Sequence, residues 1–369
     1  MEEQRVKQAV SGPLKGVRVV EFAGLGPAPF ACMLLSDMGA DVVTVDRPGR
    51  PLGRKHDLTG RGRTVVQVDL KDPSGVSRVA SLVDRADVLV EGYRPGVMER
   101  LGLGPEVVLA RNPRIVYGRM TGWGQEGPLA SAAGHDINYI AITGALAAIG
   151  PRGGPPVPPL NLVGDFGGGG LYLVVGVLAA LREAGSSGRG QVVDAAIVDG
   201  TASLMTMCMS QAMQGTFREE RGANRLDGGA PYYAVYPTAD GGYIALGAIE
   251  PQFFAEFCER VGVRPELRRC QSDVEKWPEL FEEFARIFRS RTTAEWTARL
   301  EGTDACCAPV LTLSEALRHP HLVSRRTFTD LDGIAQPAPA PRFSRTPSRI
   351  QGAAPARAST VDGVLARWS

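Results

Sequence analysis

VRVVEFAGLGPAPFACMLLSDMGADVVTVDR, residues 17–47, is the stretch whose reading decides the fold. Its β-branched run at residues 17–22 reads as a strand, residues 29–38 as an apolar helix opened by Pro29, and residues 41–45 as a second strand. Two such strands joined through a helix lie parallel, because a hairpin needs only a tight turn between its strands. The alternation continues, with strands expected at residues 64–68, 88–91 and 115–119 and a helix at 73–83. The expected class is α/β: a Rossmann-like parallel sheet forming a large domain, followed by a smaller α+β domain.

The turn in that opening unit, Ala23-Gly24-Leu25-Gly26-Pro27-Ala28-Pro29, imitates a dinucleotide site, with Asp46 ending the next strand. The imitation fails in two places. Pro29 stands where close helix packing wants a third glycine, and Pro27 removes an N–H that a pyrophosphate would need. A nicotinamide-dependent reductase is therefore disfavoured. Arg47 offers another anion contact, since a guanidinium grips a phosphate in bidentate fashion. NADP and coenzyme A both carry a phosphate near an adenosine ribose, so this residue alone does not choose between them. Asp69, Leu70 and Lys71 follow one strand, and Gly92, Tyr93, Arg94, Pro95, Gly96 and Val97 follow the next, with Arg100 just beyond. Carboxyl ends of parallel strands are where such sheets bind ligands, so a local anion site is expected there.

Downstream, a proline-rich loop at residues 151–159 precedes Asp165, which reads as the N-cap of an apolar helix at 171–184. A loop at 185–190, a strand at 191–196 and a helix at 201–215 follow. Met205, Met209 and Met213 fall on one face of that last helix, read first as core and second as a pliable apolar surface. From about residue 225 the pattern changes to a β meander at 233–246 and helices rich in Glu, Phe and Arg. The expected division is a large domain at 1–200 completed by the tail 330–369, a small domain at 225–320, and linkers at 201–224 and 321–335. The proline- and serine-rich stretch 336–349 should lie along a surface.

Composition narrows the function classes. A chain of 369 residues that is 44% hydrophobic buries cores for about two domains. Its formal net charge of +1 supplies no long-range field for nucleic acid or a membrane surface. A polar opening stretch, residues 1–12, and no apolar run of membrane-spanning length lead to a cytoplasmic expectation. The six cysteines, including the vicinal Cys306 and Cys307, form no CxxC pair, and no histidine completes a zinc cluster, so neither metal nor a disulfide framework is expected.

Six segments carry a family likeness: LKGVRVVE (14–21), GYRPGV (92–97), TGWGQ (121–125), GHDINY (134–139), NLVGDFGG (161–168) and GAIEPQF (247–253). Together they resemble the family III CoA-transferase superfamily, and within it the branch of α-methylacyl-CoA racemases. The resemblance runs from about Leu14 into the C-terminal tail. It implies an interlocked homodimer with the active site at the interface, a 2-methylacyl-CoA substrate, and no cofactor beyond the coenzyme A that the substrate carries. It implies contacts to that thioester from Arg47, Val68, Asp69, Leu70, Lys71, Gly92, Tyr93, Arg94, Pro95, Gly96, Val97, Arg100, Gly134, Asp136, Ile137, Asn138 and Tyr139. By motif match the catalytic pair is His135 and Asp165, with Glu250 supporting His135.

The residue types fit that chemistry. Inverting a carbon next to a thioester needs a base on one face, an acid on the other and donors for the enolate oxygen. His135 is one of only four histidines, and an imidazole is a side chain suited to taking and giving a proton. Partial desolvation would favour the protonated Asp165 that an acid needs, and the glycine run at 167–170 is read as letting another backbone or a ligand approach closely and as offering backbone donors to the enolate oxygen. The competing expectation is a CoA-transferase with Asp165 as nucleophile. A basic residue at position 135 weighs against it, and so does the lack of a glycine-rich loop at residues 241–250. A non-catalytic acyl-CoA carrier has no use for His135, Asp165 and Glu250 together.

Overall fold

The computed structural model describes residues 11–369; residues 1–10, most of the polar opening stretch, lie outside the described residues. The chain divides into two compact units, one of residues 11–143, 159–205 and 323–369, the other of residues 144–158 and 206–322.

The first unit is built on six strands: β1 (Arg18–Phe22), β2 (Asp41–Asp46), β3 (Arg63–Gln67), β4 (Val88–Glu91), β5 (Val116–Thr121) and β6 (Val192–Ala196). They are ordered β3-β2-β1-β4-β5-β6 and every pair is parallel. This is the doubly wound order, and both faces of such a sheet are covered. Val19, Val42, Val88 and Val116 meet Ala31 and Leu35 of helix α1 (Pro27–Asp37), and Leu173 and Val177 of the helix Tyr172–Ser187. Their neighbours Val20, Val43, Leu89 and Tyr117 point the other way, onto Val79 and Leu82 of helix α2 (Pro73–Val83) and onto Val364 and Trp368 near the C-terminus. Each fully buried valine or leucine contributes about 1.5–3 kcal/mol.

Local chemistry sets the helix starts. Gly26 takes φ 69° to turn the chain out of β1, and Pro27 opens α1 two residues before the expected start. Proline belongs there, because a first-turn N–H has no intrahelical acceptor. Asp72 caps α2, accepting from Ser74 N–H at 2.9 Å. The tail past the hairpin Phe328–Leu331 and Ile334–Pro337 is irregular until residue 361 and lies along the sheet unit. Arg349 N–H donates to Asp37 O at 3.0 Å, Ser359 N–H to Val65 O at 2.7 Å, and Trp368 Nε1 to Asp41 at 2.8 Å.

One expectation is overturned between residues 161 and 187. The helix expected from residue 171 begins earlier: the glycine run is already part of a π-helix, Leu162–Leu171, which continues into Tyr172–Ser187. The run belongs inside a helix because other backbone lies against it. A Cβ on Gly168 would lie 2.5 Å from Thr201 Oγ1, and one on Gly170 would lie 2.8 Å from the Phe30 ring. The combined span Leu162–Ser187 has 26 residues and a mean hydropathy of 1.6 in its most apolar window, so an apolar run long enough to cross a membrane does exist, contrary to the sequence reading. In this fold it packs against α1, β5, β6 and the helix Ile197–Leu204.

The second unit carries an antiparallel sheet of Tyr233–Pro237, Tyr243–Gly247 and Cys307–Pro309 under the helices Pro251–Val261, Trp277–Phe288 and Thr293–Leu300. Its core is aromatic: Tyr236, Phe257, Phe284, Phe288 and Trp296 meet ring to ring. Residues 144–158, expected in the large domain, belong here, held by the Arg221 guanidinium on Ala147 O at 3.0 Å and Gly154 O at 2.6 Å. Residues 206–224 also join this unit instead of forming a linker. The helix expected at 201–215 breaks at Met205 into Ile197–Leu204 and Thr206–Met213. Met209 is 60% and Met213 86% exposed, so the methionine stripe is not core.

The tightest contact in the sheet unit yields a test. A Cβ on Gly200 would lie 1.9 Å from the Gly168 carbonyl oxygen, a backbone atom that cannot swing aside. Helix propensity alone makes alanine about 1 kcal/mol better than glycine. Gly200→Ala is nevertheless expected to destabilise by about 1–3 kcal/mol, seen as a lower urea midpoint. A rise in midpoint would mean that the two helices are not in contact here.

Candidate active site

In a doubly wound sheet the loops after the two central strands leave in opposite directions and open a crevice. Here those strands are β1 and β4. Leu25, Gly26 and Pro27 after β1, Gly92, Tyr93, Arg94 and Pro95 after β4, and Thr121, Gly122 and Trp123 after β5 line a cleft of about 480 Å³. Gly134, His135, Asp136, Tyr139 and Asp165 complete its wall, which brings the expected catalytic pair into one cavity.

Asp165 sits in the first turn of the π-helix, not at its N-cap, a position held by Asn161. Its N–H donates to Asp136 Oδ1 at 2.6 Å, and the Phe166 N–H is taken by Asn161 O at 3.1 Å. The enolate donors expected at the glycine run are therefore engaged within the helix and its Asp136 anchor. Phe166 stacks on Phe30 of α1 with centroids 4.2 Å apart, which fixes the helix beside the β1 turn. A Cβ on Gly26 would lie 3.1 Å from Asp165 Oδ2, so this glycine gives the carboxylate its room. Burial holds the Asp165 carboxyl above the usual value of 3.8, and the Asp136 carboxylate adds to the rise. Asn161 and His135 pull in the other direction.

His135 is exposed on extended backbone just ahead of the helix Asp136–Ile142. Asn138 Oδ1 accepts its backbone N–H at 3.0 Å, while the Tyr139 hydroxyl donates to Gly134 O. Tyr139 meets Trp123 edge to face with centroids 4.6 Å apart. A Cβ on Gly122 would lie 2.0 Å from the Tyr139 ring and one on Gly134 2.7 Å, so both glycines are required for this packing. Asp136 thus does two things through one residue: its carboxylate anchors Asp165, and its own N–H lies in a first helical turn, where intrahelical acceptors are missing.

The loop after β4 is held from beneath. Buried Glu91 accepts from Tyr93 N–H at 2.7 Å and from Arg119 Nε at 2.9 Å, and Arg119 also reaches Glu99 at 2.9 Å. Gly96 adopts φ 82° to start the helical turn Val97–Arg100. Arg94 and Arg100 stand exposed on this loop, as Arg47 does after β2 and Asp69 and Lys71 after β3. Leu70 is half-buried, and the Val68 side chain is core, packed over Gly75, so only its backbone faces outward. Pro95, Gly96 and Val97 are half-buried, while Gly92, Ile137 and Asn138 are exposed. Glu250 belongs to the second unit, exposed at the N-cap of Pro251–Val261.

Several wall residues were not read from the sequence. Trp123 and Thr121 lay within a quoted motif without being assigned a role, and Ile197 and Ala133 have no polar mark at all. The Glu91–Arg119 pair did leave a signal, since charges inside the strands VLVE and VYGRMT need buried partners.

Fold and site together define a doubly wound α/β protein with a histidine and a carboxylate, His135 and Asp165, in the cleft at its switch point. The chain belongs to CoA-transferase family III, whose sequence profile matches residues 14–359. It is 48% identical over 336 residues to the alpha-methylacyl-CoA racemase of Mus musculus, covering 91% of this chain and 87% of that one. It is 30% identical over 357 residues to the succinyl-CoA:glutarate CoA-transferase of Mus musculus, covering 90% and 81%. The crystal structure of a CAIB/BAIF family protein from Brucella suis shares the fold, with a TM-score of 0.82 over 97% of this chain and all of that one at 23% identity.

Asp165 makes stability depend on pH with a defined sign. A carboxyl raised above its unfolded value binds its proton more tightly in the folded chain. Its contribution is intact below the ordinary value of 3.8 and is lost as pH climbs through the raised value. Asp165→Asn is therefore expected to be more stable than the parent in urea at pH 7, with the gain disappearing near pH 3.5. An equal or lower midpoint at pH 7 would show that the carboxylate is not strained by its surroundings.

Proposed function

We propose that this protein interconverts the (R) and (S) forms of 2-methylacyl-CoA thioesters by two-base proton exchange. One of His135 and Asp165 removes the α-proton as the C–H electron pair moves into the enolate. The other then delivers a proton to the opposite face, and the roles exchange for the reverse direction. The carrying observation is that both groups line one cleft while burial and Asp136 keep the Asp165 carboxyl within reach of its protonated form. A desolvated carboxylate would also serve a transferase as nucleophile, so Asp165 alone does not separate the two reactions; the basic His135 in the same cleft is what favours proton exchange. The difference between 48% and 30% identity to the racemase and transferase relatives supports the same reading.

The remaining roles follow from chemistry. The first-turn amide of the helix Asp136–Ile142, which has no intrahelical acceptor, is a ready donor to the enolate oxygen. Arg47, Lys71, Arg94 and Arg100 offer cations to the phosphates of coenzyme A. No redox step occurs, so the reaction calls for no cofactor. The resemblance adds a homodimer, a place in the lipid metabolism of the cytoplasm, and support of His135 by Glu250.

Incubation of one enantiomer of a 2-methylacyl-CoA in deuterated water tests the proposal. Loss of chirality with deuterium uptake at the α-carbon, without acceptor acid, is expected. His135→Ala and Asp165→Ala should each lower racemisation by about a hundredfold or more, since each strips one face of its proton carrier. Faster acyl transfer to a free carboxylate than exchange at the α-carbon would assign the transferase reaction instead.

A further inference from the structure

The Asp136 carboxylate works outside the helix it begins. It reaches the first turn of the π-helix, where its Oδ1 accepts the Asp165 N–H at 2.6 Å. A π-helix bonds each N–H to the carbonyl five residues back, so its first donors have no acceptor within it. Phe166 N–H, bonded to Asn161 O at 3.1 Å, is already served from the π-helix N-cap, which leaves Asp165 N–H to be satisfied from another element. Room for the carboxylate is built in. A Cβ on Gly164 would lie 2.3 Å from Asp136 Oδ1 and 2.9 Å from Ile140 Cγ2.

An amide or a hydroxyl would meet the same donor, since Asn and Ser cap helices as well as Asp does. An acid does something further: it sets a second negative charge beside Asp165, and like charges at close range oppose ionisation. Burial is the larger cause of the raised Asp165 carboxyl and Asp136 the next, while Asn161 and His135 act the other way. Tyr139, on the same helix as Asp136, feels the Asp165 charge in return. The other elements packed on the π-helix bring no comparable acid. In α1 the one charged residue, Asp37, is paired with Arg61, and the helix Ile197–Leu204 carries only Asp199, which is exposed. On β5 and β6, Arg119 is held by Glu91 and Glu99, and Asp194 accepts from Gln125 N–H. Tyr172–Ser187 carries its charges, Arg182 and Glu183, far from its start.

Resting on the racemase reading, we propose that the Asp136 side chain is a positioning residue for Asp165: it pins the first turn of the π-helix so that the carboxyl stands in the cleft with His135, and it keeps a second negative charge beside that carboxyl. The charge acts in both directions of the reaction. It eases the carboxyl's return to the protonated state from which Asp165 donates to the enolate carbon, and it makes the carboxylate a stronger base toward the opposite enantiomer.

The test follows kcat and kcat/KM for racemisation of one 2-methylacyl-CoA enantiomer against pH, in the full chain. Asp136→Asn keeps an oxygen for the Asp165 N–H and removes the charge. It should still racemise, with kcat lowered by about threefold or more and the acid limb of the kcat/KM profile moved to lower pH. Asp136→Ala loses oxygen and charge together and should lower kcat by about tenfold or more. An acid limb unmoved in Asp136→Asn makes Asp136 a helix cap alone and overturns the proposal while leaving racemisation standing. Where Asp136→Asn lacks the parent's circular dichroism, Gly164→Ala decides, because its Cβ crowds Asp136 Oδ1 without altering Asp136 itself. A lowered kcat with little change in KM supports the proposal there, and a kcat equal to the parent's overturns it. Absence of α-proton exchange in the parent would instead remove the racemase reading on which the proposal rests.

Discussion

Six parallel strands covered on both faces leave one place for polar chemistry. The apolar side chains along β1, β2, β4 and β5 fill one apolar layer or the other, so a ligand group is best met where the strands stop. The charged residues of this unit obey that limit. Glu21, Glu91 and Arg119 stand near the carboxyl ends of their strands, each paired, and the loops beyond carry the exposed Arg47, Lys71, Arg94 and Arg100. Where the strand order reverses, between β1 and β4, the departing loops leave the cleft that holds His135 and Asp165.

The second constraint is the close approach of two helices. Gly168 and Gly200 let the π-helix and the helix Ile197–Leu204 meet at backbone distance, and that contact, with Phe30 on Phe166, sets where Asp165 stands. Asp136 closes the arrangement by holding the Asp165 N–H from the residue after His135. His135 and Asp165 are thus tied through a single residue. Burial raises the Asp165 carboxyl above its ordinary value, and the same neighbour adds to the rise. A π-helix, uncommon and wider than an α-helix, is a frequent device at functional sites.

Much of this was legible along the chain. The β-branched runs and the proline-opened helix located β1, α1 and β2, because strand and helix periods are local properties. His135 and Asp165 were legible through their motifs, and the broken turn at Pro27 and Pro29 argued against a dinucleotide. The glycine run was legible as a place of close approach, but its reading as a source of free backbone donors misled, because Thr201, Phe30 and the Gly200 backbone that lie opposite it are known only from the fold. The methionines misled similarly, since spacing marks a shared face without saying whether anything covers it.

By itself, then, the sequence determined the α/β class, the strands of the sheet and the basic residues in the loops at their ends, which follow from residue type and short-range period, and through its motifs it named two candidate bases. Only the tertiary structure decided that residues 144–158 belong with the second unit, that Asp136 anchors Asp165, and that Glu21 and Arg63 form a buried ion pair. These depend on groups far apart in the chain, Glu21 and Arg63 by 42 positions and Asp136 and Asp165 by 29. Such meetings depend on packing and burial over the whole fold, which no local pattern encodes.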